Sequence, residues 1–344
     1  MQLLKQLYNK SSHSGEETAM QQFITDYCKA QPNTIVKQDK KGNIYVTRGS
    51  ADSFPCVVAH MDEIHHKRNK HYQVGEINGI LFGIDTKEKE LVGIGADDKN
   101  GIWVCLNCLQ TEEPIKLAFF VEEEIGCCGS SSADMSFFED CRFVLQCDRK
   151  GSSDFITEAS STPLCTSKFI KQCQAKAFGY KEASGLCTDV MELKRKGLKV
   201  CAVNLSCGYY NPHTNQEMTD FAELQNCLAL VKNIITTVTD VCPHTPKSKR
   251  SSDHITVGHL MADWDTPAWG ASWQQDRDFE QIKDIVFDDM IADVNRLSKD
   301  NTEAIIKLYL TKKYRYLTHS NLSFIELLKE VLDCYYSTDA PDLF

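Results

Sequence analysis

The chain has 344 residues, of which 42% are apolar and 25% are charged, which is the balance of a globular protein. At ~150 residues per domain, this length predicts about two domains. The 48 acidic residues outnumber the 38 basic ones and give a net charge of −10, which argues against nucleic acid or an anionic membrane as the main partner. No apolar run approaches the ~20 residues that cross a bilayer, so we expect no membrane span. Residues 1–7 form an amphipathic helix start and lack the apolar stretch of a signal peptide.

The 16 cysteines are scattered through apolar runs and are not spaced like a secreted disulfide framework. Reduced thiols are the simplest interpretation, and we therefore expect a cytoplasmic protein. Cys127 and Cys128 follow an acidic cluster and could be interpreted as soft metal ligands. Adjacent cysteines do not easily share one ion, however, and no second pair has zinc-finger spacing, so we assign them a structural role.

The first part of the chain predicts two helices followed by strands. A short helix is expected over residues 1–7, and Ser14 is the predicted N-cap of a second helix over residues 14–29. Alternating side chains predict strands over residues 34–37 and 43–47.

An apolar strand then ends at His60, and a hairpin is expected within residues 63–93 because Asn78-Gly79 is a tight-turn dipeptide. This region also contains three histidines that we expect to face solvent or substrate rather than bind metal: His65, His66 and His71.

The following residues alternate between strand and helix patterns. Helices are predicted over 98–110, 186–196 and 219–238, a short helix within 126–138, and strands over 115–121, 143–148 and 198–205. This alternation predicts an α/β fold, a three-layer α-β-α core over residues 1–240 with a mixed, mostly parallel sheet.

The character of the sequence changes after residue 240. Residues 241–275 are interpreted as a linker followed by a segment with three tryptophans, which we expect to be packing anchors rather than a binding surface: Trp264, Trp269 and Trp273. Residues 276–344 predict a helical C-terminal extension with helices near 277–297, 302–314 and 322–336. These helices could act as a lid over the preceding domain or mediate oligomerisation, and the sequence leaves both roles open.

The most informative residues follow the predicted strands. Each apolar run is followed by histidine or acidic residues, in this order: His60 and Asp62, Asp97 within the glycine-rich turn 93–101, Glu123 and Glu124, Asp148, and finally His213. Since the carboxyl ends of strands in an open α/β sheet lie along one edge, these side chains should converge there. Imidazoles and carboxylates gathered in one crevice predict a pair of divalent metal ions and a hydrolase.

The residue types also suggest a different role for each of these carboxylates. Asp97 lies in a turn where its carboxylate could face both metals, and the Asp97–Asp98 peptide is a candidate for a cis bond. Adjacent Glu123 and Glu124 should diverge, so that one binds metal while the other takes the proton from the attacking water. Asp62 is placed to hold the second nitrogen of His60.

These motifs resemble the MH clan of di-zinc exopeptidases, and within it peptidase T and its carboxypeptidase and deacylase relatives, over roughly residues 1–239. The resemblance implies that Asp97 bridges two metals, with His60 and Asp148 at one site and Glu124 and His213 at the other. It also implies Glu123 as general base and acid and Asp62 as the residue that orients His60. The cofactors would be two divalent ions, zinc first, with cobalt or manganese also compatible. Within Asp97-Asp98 and within Glu122-Glu123-Glu124, an assignment of these roles displaced by one residue stays open.

One departure from the resemblance concerns a lid or dimerisation domain, which those relatives insert between the equivalents of Asp148 and His213. Here the interval holds only residues 149–212, which predicts a core without a lid. Substrate would then contact residues beside the metals, for which the candidates are Arg149, Tyr209, Tyr210 and Asn211.

The predicted function is therefore metal-dependent hydrolysis of a terminal amide in short peptides, as an aminopeptidase. A carboxypeptidase or N-acyl-amino-acid deacylase is the alternative, because Arg149 could hold a substrate carboxylate. A non-catalytic binding protein is the third reading. It would be signalled by loss of Glu123 or a metal ligand, and the sequence shows neither loss.

Overall fold

The computed structural model describes residues 1–66, 68–109 and 114–246. These residues fall within one compact unit, Met1–Ser248. The predicted tryptophan segment and the helical extension over residues 276–344 lie outside the described residues.

The described residues form fourteen strands, seven α-helices and two 3₁₀ helices. The strands are β1 (Thr34–Gln38), β2 (Ile44–Arg48), β3 (Phe54–His60), β4 (Tyr72–Ile77), β5 (Ile80–Asp85), β6 (Glu90–Val92), β7 (Ile115–Phe120), β8 (Cys141–Arg149), β9 (Asp154–Ala159), β10 (Thr162–Pro163), β11 (Lys181–Gly185), β12 (Ala202–Ser206), β13 (Tyr209–Tyr210) and β14 (Met218–Asp220). The α-helices are α1 (Gln2–Tyr8), α2 (Thr18–Lys29), α3 (Ala96–Cys108), α4 (Cys128–Ser131), α5 (Ser167–Cys173), α6 (Asp189–Arg195) and α7 (Phe221–Thr237), and the 3₁₀ helices span Met135–Phe138 and Ala175–Phe178.

The larger sheet has the strand order β1-β2-β7-β3-β8-β12-β9-β10, with β11 paired to β9. Strands β7, β3, β8 and β12 are parallel neighbours at its centre, whereas β1-β2, β2-β7, β9-β12 and β9-β10 are antiparallel. Every residue of β3 and β7 is buried, as expected for strands covered on both faces. The carboxyl ends of the four parallel strands share one edge, where His60 pairs with Phe120.

The two faces of this sheet support separate hydrophobic cores. Side chains alternate along a strand. In β3, Val57 and Ala59 accordingly pack with α1, α2, α3 and α7, while Cys56 and Val58 pack with α6. The predicted α/β fold with three layers and a mixed sheet is confirmed. None of the described helices combines the length and apolar character that a membrane-spanning helix requires.

A smaller antiparallel sheet stands beside the core in the order β13-β14-β5-β4, with β6 paired to β5. Asn78 and Gly79 join β4 to β5 with φ values of 50° and 82°, the pattern of a type I′ turn, so the predicted hairpin is confirmed. The connection from β13 to β14 contains His213.

The predicted N-cap at Ser14 is wrong. Helix α2 begins at Thr18, and the Ser14 hydroxyl donates instead to Asp62 Oδ2 at 2.7 Å. A serine hydroxyl bonds whichever acceptor tertiary packing brings near, and here that acceptor comes from the end of β3.

Candidate metal centre and active site

The sequence-predicted histidines and carboxylates gather at the carboxyl edge of the central sheet. His60 ends β3, Asp148 lies near the end of β8, and the two glutamates occupy the turn after β7. Asp97 lies at the start of α3, where Gly95 has a φ of 66°. A Cβ at Gly95 would lie 2.0 Å from a Glu63 carboxylate oxygen, so glycine is required there.

The first cluster surrounds His60. Its Nε2 lies 3.1 Å from Asp97 Oδ1 and 3.7 Å from Asp148 Oδ1. On the other side of the ring, Nδ1 lies 3.1 Å from the Asp62 carbonyl and 3.3 Å from Asp62 Oδ1. One nitrogen of His60 is therefore directed to the carboxylate cluster and the other to the residue expected to orient it.

The second cluster surrounds His213. Its Nε2 lies 2.9 Å from Glu124 Oε1 and 3.4 Å from Asp97 Oδ2. Asp97 thus directs one carboxylate oxygen toward His60 and the other toward His213, so both clusters share this side chain.

The Asp97–Asp98 peptide is cis, as the sequence analysis predicts. Asp98 has a different environment from Asp97, because its carboxylate accepts hydrogen bonds from the backbone N–H groups of His60 at 3.2 Å and Gly101 at 2.9 Å. Burial raises the pKa of Asp98 well above its ordinary value. The structure nevertheless places Asp98 close enough to His60 and Asp148 for those three to form a possible cation site.

Asp62 holds three parts of the site together. Its carboxylate accepts hydrogen bonds from the backbone N–H of Glu123 at 2.9 Å, the backbone N–H of Glu124 at 3.1 Å and the Ser14 hydroxyl. Burial opposes its ionisation, but His60 and these donors together hold its pKa below the ordinary value. One buried carboxylate therefore fixes both an imidazole ring and the acidic turn.

The Glu123 carboxyl lies 3.4 Å from the thiol of Cys127. Burial raises its pKa well above the ordinary value, and the negative charges of Asp148 and Asp189 add to the rise against the opposing effect of His60. A carboxyl group in such surroundings can both accept and release a proton.

Carboxylates are crowded at this edge and have few cationic partners. In the described residues, the ion pairs of Asp62, Asp97, Glu124 and Asp148 are with histidines. Burial raises the pKa of Asp148 to about 8, and Asp97 contributes to the rise. For His213, burial alone would lower the pKa, but Asp97 and Glu124 raise it to about 10. Divalent cations bound here would supply the positive charge that compensates these carboxylates.

The donor set also fits such cations. His60, Asp97 and Glu124 form one group of closely spaced ligand atoms, and His60, Asp98 and Asp148 form another. Imidazole nitrogen with carboxylate oxygen suits zinc, and cobalt and manganese accept the same ligands. The residues present therefore fit a divalent-metal centre.

Glu217 is a residue of this site that the sequence analysis missed. Its side chain is buried and accepts hydrogen bonds from the backbone N–H groups of Gly95 at 2.6 Å and Asp97 at 3.1 Å. His65 Nε2 lies 2.9 Å from the same carboxylate, so this histidine, expected to face solvent or substrate, is mostly buried against Glu217. The sequence signal is weak, because a glutamate in the polar turn after His213 is indistinguishable from a solvated one.

A second buried carboxylate supports the same loop. Glu63 accepts from Lys99 Nζ at 2.6 Å and from both terminal nitrogens of Arg68, at 2.6 Å and 2.7 Å. Burial opposes ionisation, but Lys99 and Arg68 lower the pKa of Glu63 to about 2. Lys99, two residues after Asp97, is thus bound in a buried ion network with Glu63.

The four candidate substrate residues have different environments. Tyr209 is buried, and its hydroxyl oxygen lies 3.2 Å from Asp97 Oδ2 and 3.3 Å from Asp148 Oδ1, within reach of its single O–H donor. Tyr210 donates to Glu223 at 2.6 Å, while the Arg149 Nε lies 3.3 Å from Asp154. Asn211 is exposed and donates to the Gln216 carbonyl. Of the four, Tyr209 is the one whose polar atom contacts the predicted metal ligands within the described residues.

Comparison with solved structures identifies the fold class. An aminopeptidase PepT from Bacillus cereus matches with a TM-score of 0.57 and 14% identity, over 69% of this chain and 97% of that one. A tripeptidase from Staphylococcus aureus matches with a TM-score of 0.58 and 16% identity over the same shares. An aminopeptidase from the archaeon Desulfurococcus kamchatkensis gives 0.52 and 18% identity, over 70% of this chain and 96% of that one. No family model and no curated protein matches the sequence. The chain therefore has the fold of these solved peptidase structures.

Proposed function

We propose that the chain is a metal-dependent peptidase that hydrolyses the terminal amide of short peptides, acting from the amino end. The observation that carries this proposal is the position of Asp97, whose two oxygens face His60 and His213 at 3.1 Å and 3.4 Å. A carboxylate shared in this way between two histidine-containing clusters suits a bridging ligand. The likeness to solved aminopeptidases and a tripeptidase adds support at the level of the fold.

In this proposal His60, Asp97 and Asp148 would hold one ion, and His213, Asp97 and Glu124 would hold the other. Asp97 is favoured over Asp98 as the bridge because the Asp98 carboxylate is occupied by two backbone N–H groups. Zinc is the first choice, and cobalt and manganese are compatible with the same donors.

Bound there, two divalent cations would polarise the scissile carbonyl and lower the pKa of a coordinated water. Glu123 takes the proton of the attacking water and delivers it to the leaving amine. Asp62 keeps the His60 ring and the backbone of Glu123 in place for this transfer. The Tyr209 hydroxyl lies within hydrogen-bond distance of both Asp97 and Asp148 and so helps to position the carboxylates around which the substrate would sit.

The same proposal holds that residues 149–212 carry no inserted lid domain. Within residues 149–212, the described elements β9, β11 and β12 all join the central sheet, and α5 packs on its core. This arrangement supports a crevice completed by residues of the core itself. Arg149 is half-exposed beside Asp154 and remains the observation that favours the carboxypeptidase or deacylase alternative.

A matched peptide panel tests the proposal. One short peptide would be prepared with a free or acetylated amino end and with a free or amidated carboxyl end, and assayed before chelation, after chelation and after zinc is restored. Cleavage that needs a free amine and is abolished by chelator is the expected result. Cleavage that needs a free carboxylate would instead support the alternative through Arg149. No turnover by a protein that still binds two metals would support the non-catalytic reading.

A further inference from the structure

Two thiols lie next to each other beside the acidic turn. Cys127 comes shortly after the two glutamates, in a left-handed turn with a φ of 54°, and its side chain is buried. Cys187 is exposed and lies between β11 and α6. Their sulfur atoms are 3.8 Å apart although the residues are distant in the sequence. The Cys127 sulfur also lies 3.4 Å from Glu123 Oε1, so the pair is continuous with the predicted active site.

Cys187 differs from the buried cysteines in the direction of its pKa shift. Cys127 does not, because its hydrogen bond to Cys187 and its burial raise its pKa well above the ordinary value. A hydrogen bond from Cys127 lowers the pKa of Cys187 to about 7. In contrast, burial raises the pKa of Cys28, Cys108 and Cys165 to about 12. Because the thiolate is the nucleophile, an exposed thiol with a low pKa next to a second thiol is the arrangement found in oxidation-sensitive sites.

We propose that Cys127 and Cys187 form an oxidisable dithiol site that reacts with hydroperoxides and closes to a disulfide next to Glu123. The proposal goes beyond peptide hydrolysis and does not depend on it. A disulfide would tie the turn that carries the two glutamates to the segment before α6.

The chemistry balances with hydrogen peroxide as the oxidant. The Cys187 thiolate attacks one peroxide oxygen and the O–O bond breaks, which leaves a sulfenic acid and a hydroxide that takes up the proton lost by Cys187. Cys127 then attacks the Cys187 sulfur, so that the S–S bond forms, the S–O bond breaks and the second water leaves with the Cys127 proton. Two thiols are oxidised, and one peroxide is reduced to two waters.

The geometry allows this closure and offers a matched control. A disulfide needs sulfur atoms ~2.05 Å apart, so the two must approach by less than about 2 Å. Cys128 is adjacent to Cys127, but its Sγ is directed to the Ile125 carbonyl at 3.9 Å. Cys128 therefore lies in the same local sequence as Cys127, but its thiol is directed to Ile125 and not to Cys187.

The first experiment maps the product. The full chain would be treated with one equivalent of hydrogen peroxide, its remaining thiols alkylated, and the digest analysed by mass spectrometry without reduction. A peptide linking Cys127 to Cys187 should appear first, and should be lost in Cys187→Ser but retained in Cys128→Ser. A disulfide from Cys187 to Cys128, or a Cys187 sulfenic acid that accumulates without a partner, would overturn the proposal.

A second experiment tests the contact without oxidation. The alkylation rate of Cys187 at pH 7 would be compared in the unmodified chain and in Cys127→Ala, which removes the hydrogen-bond donor. A thiol with a pKa near 7 is about half ionised at pH 7 and one near 8.5 only ~3%; after correction for lower nucleophilicity, the rate should fall on the order of 3-fold. Cys127→Ser retains a donor and should keep the faster rate while forming no disulfide. Equal rates in the unmodified chain and the alanine variant would contradict the contact.

Discussion

The turn after β7 contains three adjacent glutamates whose carboxylates have different environments: Glu122, Glu123 and Glu124. Glu122 has a φ of 52°, and its carboxylate pairs with Lys41 at 2.6 Å near the surface. Glu124 faces His213. Glu123 forms no ion pair with either histidine in the described residues, and Asp62 holds its backbone N–H. The turn after β7 therefore separates a surface ion pair, a proton carrier and a metal ligand.

This separation predicts the effect of two neutral substitutions. Glu123→Gln should lower kcat for peptide hydrolysis by about 10²–10⁴-fold, because the amide cannot take the proton, while metal content stays at the level of the unmodified chain. The check is kcat measured together with metal analysis of the same samples.

Glu122→Gln is the matched control, since it removes a surface ion pair worth only about 0–1 kcal/mol and should leave kcat nearly unchanged. If Glu122→Gln is the inactive variant and Glu123→Gln loses metal, the acidic motif is displaced by one residue from our assignment.

At the scale of elements, the β13-β14 turn and the start of α3 are joined through Glu217. The turn carries His213, and four residues later Glu217 accepts the N–H of Asp97. Two ligands proposed for the same metal are therefore held by segments that Glu217 connects. Glu217 can therefore influence metal affinity without binding a metal ion itself.

Glu217→Gln should accordingly weaken metal binding by about 10–100-fold, the usual cost of losing a residue that orients ligands. The amide places an N–H donor against backbone N–H groups, so at least one of the two hydrogen bonds is lost. Competition against a chelator of known affinity measures the change without any activity assay.

Gln216→Ala, at an exposed position of the same turn, should leave the affinity unchanged. An unchanged affinity in Glu217→Gln, with the protein folded, would limit the role of Glu217 to the fold of the loop.

These elements also show what a sequence can and cannot predict. The proposed ligands His60 and Asp148 are predictable because each lies at the end of an apolar strand, and parallel strands place such ends at one edge. Asp97 follows β6 of the smaller antiparallel sheet and is predicted from its glycine-rich turn instead. Glu217 and the Ser14 contact are not predictable in this way. Both depend on partners distant in the sequence, and a polar residue in a turn looks the same whether it is solvated or bound to a buried N–H.

At the scale of the whole molecule, the site collects side chains from β3, the β7 turn, β8, α3 and the β13-β14 turn. Buried carboxylates from so many elements repel one another, and the raised pKa of Asp148 follows from burial and from Asp97. Cations that bind the folded chain and not the unfolded one would stabilise every one of these elements together.

Removing metal should therefore destabilise the entire described unit and not one loop. At a free zinc concentration 100 times the Kd, one site stabilises the folded state by about 2.7 kcal/mol. Because Asp97 is shared, Asp97→Asn should lose both metals and show no zinc-dependent rise in Tm, whereas His213→Ala should retain about one metal and part of the rise. Thermal unfolding with metal analysis, with and without zinc, gives both readouts. If the two variants retain the same amount of metal, Asp97 does not bridge, and the two clusters bind their ions independently.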